Sequence, residues 1–143
     1  MKRKVITLEI ICYAVILLFA YAALSKLFLY NIYVKDLERS PFIGPYAAYL
    51  SLTLPVAELA LSALLFFEST RRIGLWGSLV LMILFTGYVG LILGAVDSRP
   101  CTCGGLIRNL TWQQHFALNV TYTLLIALGI WLQKSITPSW QKN

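Results

Sequence analysis

Four apolar stretches divide the chain, at about residues 5–30, 46–67, 73–96 and 112–132, and short polar segments separate them. A helix needs about 20 apolar residues to cross the hydrocarbon core at 1.5 Å rise per residue. The first three stretches meet that length. The last is apolar only from Phe116 to Leu132, about 25 Å, which puts the polar turn before it in the interface. Because hydrocarbon offers no hydrogen-bond partners, a spanning segment must pair its backbone within itself. The pattern therefore predicts an all-α, integral membrane four-helix bundle, with residues 1–143 forming one membrane domain and loops at 31–45 and 97–111.

Local signals refine the boundaries. Residues 31–45 hold Lys35, Asp36, Glu38 and Arg39 and read as a loop with some local helix. In it, Ser40-Pro41 has the form of an N-cap followed by proline at the first helical position, and Gly44-Pro45 restarts the chain into the second span. Pro55 lies inside that span and predicts a kink. Thr111-Trp-Gln-Gln114 has the capping-box form and marks the start of the last helix. In the third span Gly87, Gly90 and Gly94 fall at i, i+3 and i+7, which predicts a face of small residues against another helix. Trp112 and Trp131, near the two ends of the last span, suit interfacial belts.

Composition agrees with this architecture, since 59% of residues are hydrophobic and only 13% are charged, against roughly a quarter charged in soluble domains. The formal charge of +6 does not form a patch: the basic residues stand at span ends, which argues against a nucleic-acid partner. Their distribution instead sets topology. Lys2, Arg3, Lys4, Arg71, Arg72, Lys134 and Lys142 share one side, seven residues, against four on the other, Lys35, Arg39, Arg99 and Arg108. The positive-inside rule then puts both termini in the cytoplasm and loop 97–111 in the periplasm of a bacterial inner membrane. A cleaved leader ending near Ala20-Tyr21-Ala22 is a rival reading of the first segment, and it would leave the later spans oriented the same way.

Loop 97–111 carries the candidate chemistry. Cys101 and Cys103 are separated by one threonine, with Pro100 before them and Gly104-Gly105 after. A disulfide needs Cα atoms about 4.4–6.8 Å apart, which a bent i,i+2 pair reaches only under strain, and strained bonds are the exchangeable ones. Thiol–disulfide exchange, a static disulfide and a metal site are the three readings. Zinc would take Cys101, Cys103 and His115 but normally wants a fourth ligand, and none is evident, so no metal is expected. Arg99 and Arg108 flank the pair and favour the thiolate, with Asp97 opposing. His115 is either a proton acceptor for a departing thiol or simply a polar interfacial residue. Cys12 lies at the far end of the first span and reads as a buried free cysteine. Lys26 and Glu58 are intramembrane ionisable groups and should face the bundle interior. Counted from the ends of their spans, Lys26 is about 6 Å deep and Glu58 about 18 Å. A direct pair thus requires Lys26 to reach down or Pro55 to displace its helix; the simpler expectation is a buried Glu58 hydrogen-bonded to some neighbour.

Tyr21-Ala-Ala-Leu-Ser-Lys-Leu27, Ser40-Pro41, Leu54-Pro-Val-Ala-Glu58 and above all Pro100-Cys-Thr-Cys-Gly-Gly105 followed by Trp112, His115 and Asn119 resemble the MauE-like, redox-associated branch of the DoxX membrane-protein family. The resemblance implies a four-helix membrane bundle serving periplasmic disulfide chemistry beside a thioredoxin-like or other cysteine-containing partner, and it adds Asn119 to the polar residues of interest. Gly105 departs from the phenylalanine usual in the methylamine branch, which leaves partner and substrate open. The reading is an inner-membrane protein that exchanges thiol and disulfide through Cys101 and Cys103, either alone or as a subunit of a larger membrane complex. A quinone held among the helices is conceivable as electron acceptor, although no motif marks a pocket. The alternative is a non-enzymatic scaffold whose cysteines only staple a loop.

Overall fold

The computed structural model describes residues 1–95 and 110–136. Five α-helices and one 3-10 turn account for nearly all of them, with no strand among the described residues: α1 Lys2–Phe28, α2 Tyr30–Arg39, a 3-10 turn Gly44–Tyr46, α3 Ala47–Phe66, α4 Arg71–Ala95 and α5 Trp112–Ile136. Helices α1, α4 and α5, and the 3-10 turn with α3, are each long and apolar enough to cross a membrane. The apolar faces point outward as well as inward. On α1, Ile6, Ile10, Tyr13, Leu17, Tyr21, Leu24 and Phe28 recur every three or four residues and are all exposed. That stripe is stable only in a hydrocarbon solvent, because a helix apolar all round must be buried or in lipid.

Around the bundle α1 packs on α3 and α5, and α4 packs on α3 and α5. The interior is a layer of Val15, Phe19, Leu65, Leu75, Met82 and Ile126, all nearly fully buried. Close helix approach is made by glycines other than those the sequence pattern singles out. A Cβ on Gly74 would lie 3.0 Å from the backbone nitrogen of Leu65 in α3, and one on Gly129 would meet Ile11 and Leu75 at 3.3 and 3.4 Å. The expected face of Gly87, Gly90 and Gly94 is only partly a contact: a Cβ on Gly90 would sit 3.3 Å from the Phe116 ring, whereas among the described residues nothing lies within 4 Å of a Cβ on Gly87 or Gly94. The reason is rotational. Val89 and Ile92 take the buried face of α4 near its end, and Gly87 and Gly94 fall outside it.

The predicted capping box is present. The Thr111 hydroxyl accepts from the Gln114 backbone N–H at 3.2 Å, and the Gln114 side chain accepts from the Thr111 N–H at 3.0 Å. Ser40-Pro41, by contrast, ends a helix. Ser40 caps the C-terminus of α2 in the extended region at φ −69°, ψ 131°, with its hydroxyl donating to the Asp36 carbonyl at 2.8 Å. Proline forces this conformation on the residue before it, so the pair stops α2 instead of starting a new helix. Segment 31–45 is accordingly more helical than the sequence suggests. Tyr33 and Leu37, one turn apart, bury one face of α2 against Ala47 and Leu50 of α3. Gly44 must be glycine here, since a Cβ would lie 2.7 Å from the Glu38 carbonyl oxygen. Helix α3 continues through Pro55, which is buried.

Trp131 is exposed with Lys4 over its ring, as suits a belt residue. Trp112 is instead buried with Val89 and Ile92 in a cluster that joins α4 to α5.

Candidate functional site

Cys101, Cys103, Arg99 and Arg108 lie outside the described residues. The remaining polar candidates, Lys26, Glu58, His115 and Asn119, come together. They line one cavity of about 290 Å³, whose walls are otherwise mostly leucine and aromatic.

Lys26 and Glu58 form a direct ion pair, Nζ to Oε1 at 2.5 Å, and both side chains are buried. This corrects the expectation from span depths. Cα–Cβ bonds tilt toward a helix N-terminus. Lys26 stands near the C-terminal end of α1, so its chain leans back into the bundle; Glu58 stands on antiparallel α3 and leans the opposite way. The two tilts close the gap that a count of rise per residue leaves open. The Lys26 ammonium also lies over the rings of Tyr33 in α2 and Phe85 in α4, at 5.8 and 5.4 Å, an arrangement that favours a cation by the ring quadrupole.

His115 and Asn119 stand one turn apart on α5 and so share a face. The His115 backbone N–H closes the first turn onto the Thr111 carbonyl at 2.9 Å, and the residue lines the cavity. One turn below Asn119, Thr123 donates to the Asn119 carbonyl at 2.7 Å and shares a 3.3 Å hydroxyl contact with Thr86 of α4. Three buried side-chain polar atoms have no hydrogen-bond partner among the described residues, and two of them, Oε2 of Glu58 and Nδ2 of Asn119, belong to cavity-lining side chains, the third being Oγ of Ser78 in α4. An orphaned buried donor or acceptor costs about 1–3 kcal/mol, so two of them facing one cavity call for an explanation, and a bound group that pairs with both supplies one.

The roof of the cavity was not foreseen. Tyr33 and Leu37 come from α2, and Tyr88 and Val89 from α4, with Trp112 completing the wall from α5. The Tyr88 hydroxyl donates to the Pro41 carbonyl at 3.1 Å and ties α4 to the turn after α2. These lining residues also show which ends of the helices meet. The C-terminal parts of α1 and α4, the N-terminal parts of α3 and α5, and α2 all gather at one end of the bundle, the end to which the 96–109 connection is attached. Cys12 is buried in the core of the opposite half, about 21 Å along α1 from Lys26 at 1.5 Å per residue.

The family model described as methylamine utilisation protein MauE matches residues 4–132. No curated protein and no solved structure matches the chain.

Proposed function

Since that match covers nearly the whole chain, the protein belongs to the MauE family, and from this premise we propose that it exchanges thiol and disulfide with a periplasmic partner through Cys101 and Cys103. A multi-pass membrane protein of a family named for methylamine utilisation is consistent with a redox-associated role. The wider DoxX grouping, the inner-membrane location and the periplasmic side of the cysteine loop are parts of the proposal, the last resting on the seven-to-four split of basic residues.

One observation carries the reading. The Cys-x-Cys pair is held in the connection between α4 and α5, and the ends of those two helices border the cavity where Lys26, Glu58, His115 and Asn119 converge. Polar side chains are costly inside a bilayer and concentrate at functional sites, so their grouping at the helix ends that the cysteine connection joins favours chemistry over a staple. In the exchange one thiolate attacks a partner disulfide, the partner's second sulfur leaves as a thiolate, and the other cysteine of the pair then displaces the partner from the mixed disulfide. The reverse sequence returns the electrons. In this reading His115, in the first turn of α5, accepts or returns the proton of a thiol.

The test is a trap. In Cys101→Ser or Cys103→Ser, one of the remaining thiols should hold a partner as a mixed disulfide, seen as a reducible higher band on a non-reducing gel. If neither variant captures a protein and both merely lose stability, the pair is a staple and the protein is a scaffold.

A further inference from the structure

We propose that the cavity between the helices binds a membrane-dissolved quinone, held by its ring oxygens. The inference rests on the thiol-exchange reading for its electron source, while the site itself is argued from the cavity.

Access comes first. Helices α3 and α4 touch closely at Gly74 and Gly77, where added Cβ atoms would lie within 3.1 Å of Leu64 and Leu65 and 2.6 Å from Leu61. Further along the same pair, Leu54 of α3 and Leu81, Leu84 and Phe85 of α4 line the cavity instead. Leu84 stands near the middle of α4, lines the cavity and is also 62% exposed. A residue that does both sits on a rim, and at the middle of a spanning helix the surroundings are hydrocarbon. At the other end Tyr88 bonded to Pro41 braces α4 against the turn that covers this side. A ligand passing Leu84 therefore arrives from the bilayer.

Chemistry narrows the class. Lys26 and Glu58 already neutralise one another, so a charged head group would enter uncompensated, at high cost in low dielectric. The orphaned amide of Asn119 offers a donor, and the orphaned Oε2 of Glu58 offers an acceptor. The occupant must accept one hydrogen bond and be able to donate another. Phe19, Phe85, Tyr33, Tyr88 and Trp112 in the lining favour a flat ring over a flexible chain. The quinone–hydroquinone couple meets these demands between its two states: the carbonyl oxygens of the quinone accept from the Asn119 amide, and the hydroxyls of the hydroquinone can also donate to Glu58 Oε2.

The redox step balances. Two thiols of Cys101 and Cys103 give up two protons and two electrons and close the S–S bond, while the two quinone carbonyls take up the protons and electrons and become hydroxyls. A second cysteine pair to relay the electrons is absent, because the chain has only three cysteines and the third is Cys12.

The test uses the whole protein in nanodiscs of quinone-free lipid, with decyl-ubiquinone as probe and 1-decanol as a control of equal chain length. Decyl-ubiquinone should raise the thermal unfolding midpoint saturably and 1-decanol should not. Asn119→Leu removes the donor and Leu84→Trp narrows the rim from its exposed side; each should weaken binding about tenfold, the value of one lost hydrogen bond or comparable contact. The Cys101→Ser/Cys103→Ser double variant should bind as the parent does. No shift with decyl-ubiquinone, an equal shift with 1-decanol, or binding indifferent to both Asn119→Leu and Leu84→Trp overturns the proposal. Trapping of a protein partner without quinone binding refutes this inference alone. Quinone binding without trapping upholds the site and removes the exchange reading instead.

Discussion

Lys26 and Glu58 are held 2.5 Å apart at nearly complete burial, so each is the other's main compensation for leaving water. Removing one partner from a buried pair strands a charge and costs about 3–5 kcal/mol, whereas removing both in a well-packed way costs far less. Glu58→Gln and Lys26→Met should therefore each destabilise the bundle by about that amount, and Lys26→Met/Glu58→Met should lose much less than the sum. Denaturant unfolding in mild detergent would measure the three. Additive losses would mean that the two residues act separately. Both were visible in the sequence as intramembrane ionisable residues, but not their pairing. Counting residues along each span gives depth and omits the opposed lean of side chains on antiparallel helices. His115 and Asn119 were legible as single polar residues, and their four-residue spacing is the signal that puts them on one face. Tyr33 and Tyr88 carried no such signal, since an aromatic near a span end reads as a belt residue until its packing is known.

At the scale of elements, the caps and the four apolar lengths were readable because they are local: the Thr111–Gln114 box is a contact between residues three apart, and a span is a count. Helix packing is not local. The Gly87, Gly90 and Gly94 pattern is correct as a face, but which face of α4 meets a neighbour depends on the rotation set by Leu75, Met82, Val89 and Ile92. The substitutions should separate accordingly. Gly74→Leu forces atoms into the backbone of Leu64 and Leu65 and should cost at least about 1–3 kcal/mol as overpacking. Gly87→Leu meets no described residue within 4 Å of its Cβ and should stay within about 0.5 kcal/mol of the parent. Unfolding of the two variants in detergent would check this, and equal losses would contradict the packing described. Helix α2 was half legible. Its charges suggested a loop, while the one-turn spacing of Tyr33 and Leu37 is what folds it down over α3.

For the whole molecule, the helix ends that gather around the cavity lie opposite the end that holds the start of α1 and the α3–α4 turn, and the proposed topology, resting on the basic residues, puts the latter in the cytoplasm. In a Cys12→Ala background, a membrane-impermeant maleimide applied to intact cells after mild reduction should label Cys101 and Cys103. In the same background lacking that pair, Glu68→Cys in the α3–α4 turn should stay unlabelled until the cells are opened. The opposite pattern would invert the topology and place the cysteine pair in a reducing compartment. Above orientation stands the claim that the pair cycles. Its most direct measure is the reduction potential of Cys101–Cys103 in the purified protein, obtained by equilibration in thiol–disulfide buffers followed by alkylation. A single-residue spacing, flanked by Arg99 and Arg108, predicts an exchangeable bond with a potential above about −300 mV. A value below about −300 mV, the range of inert structural disulfides, would contradict it.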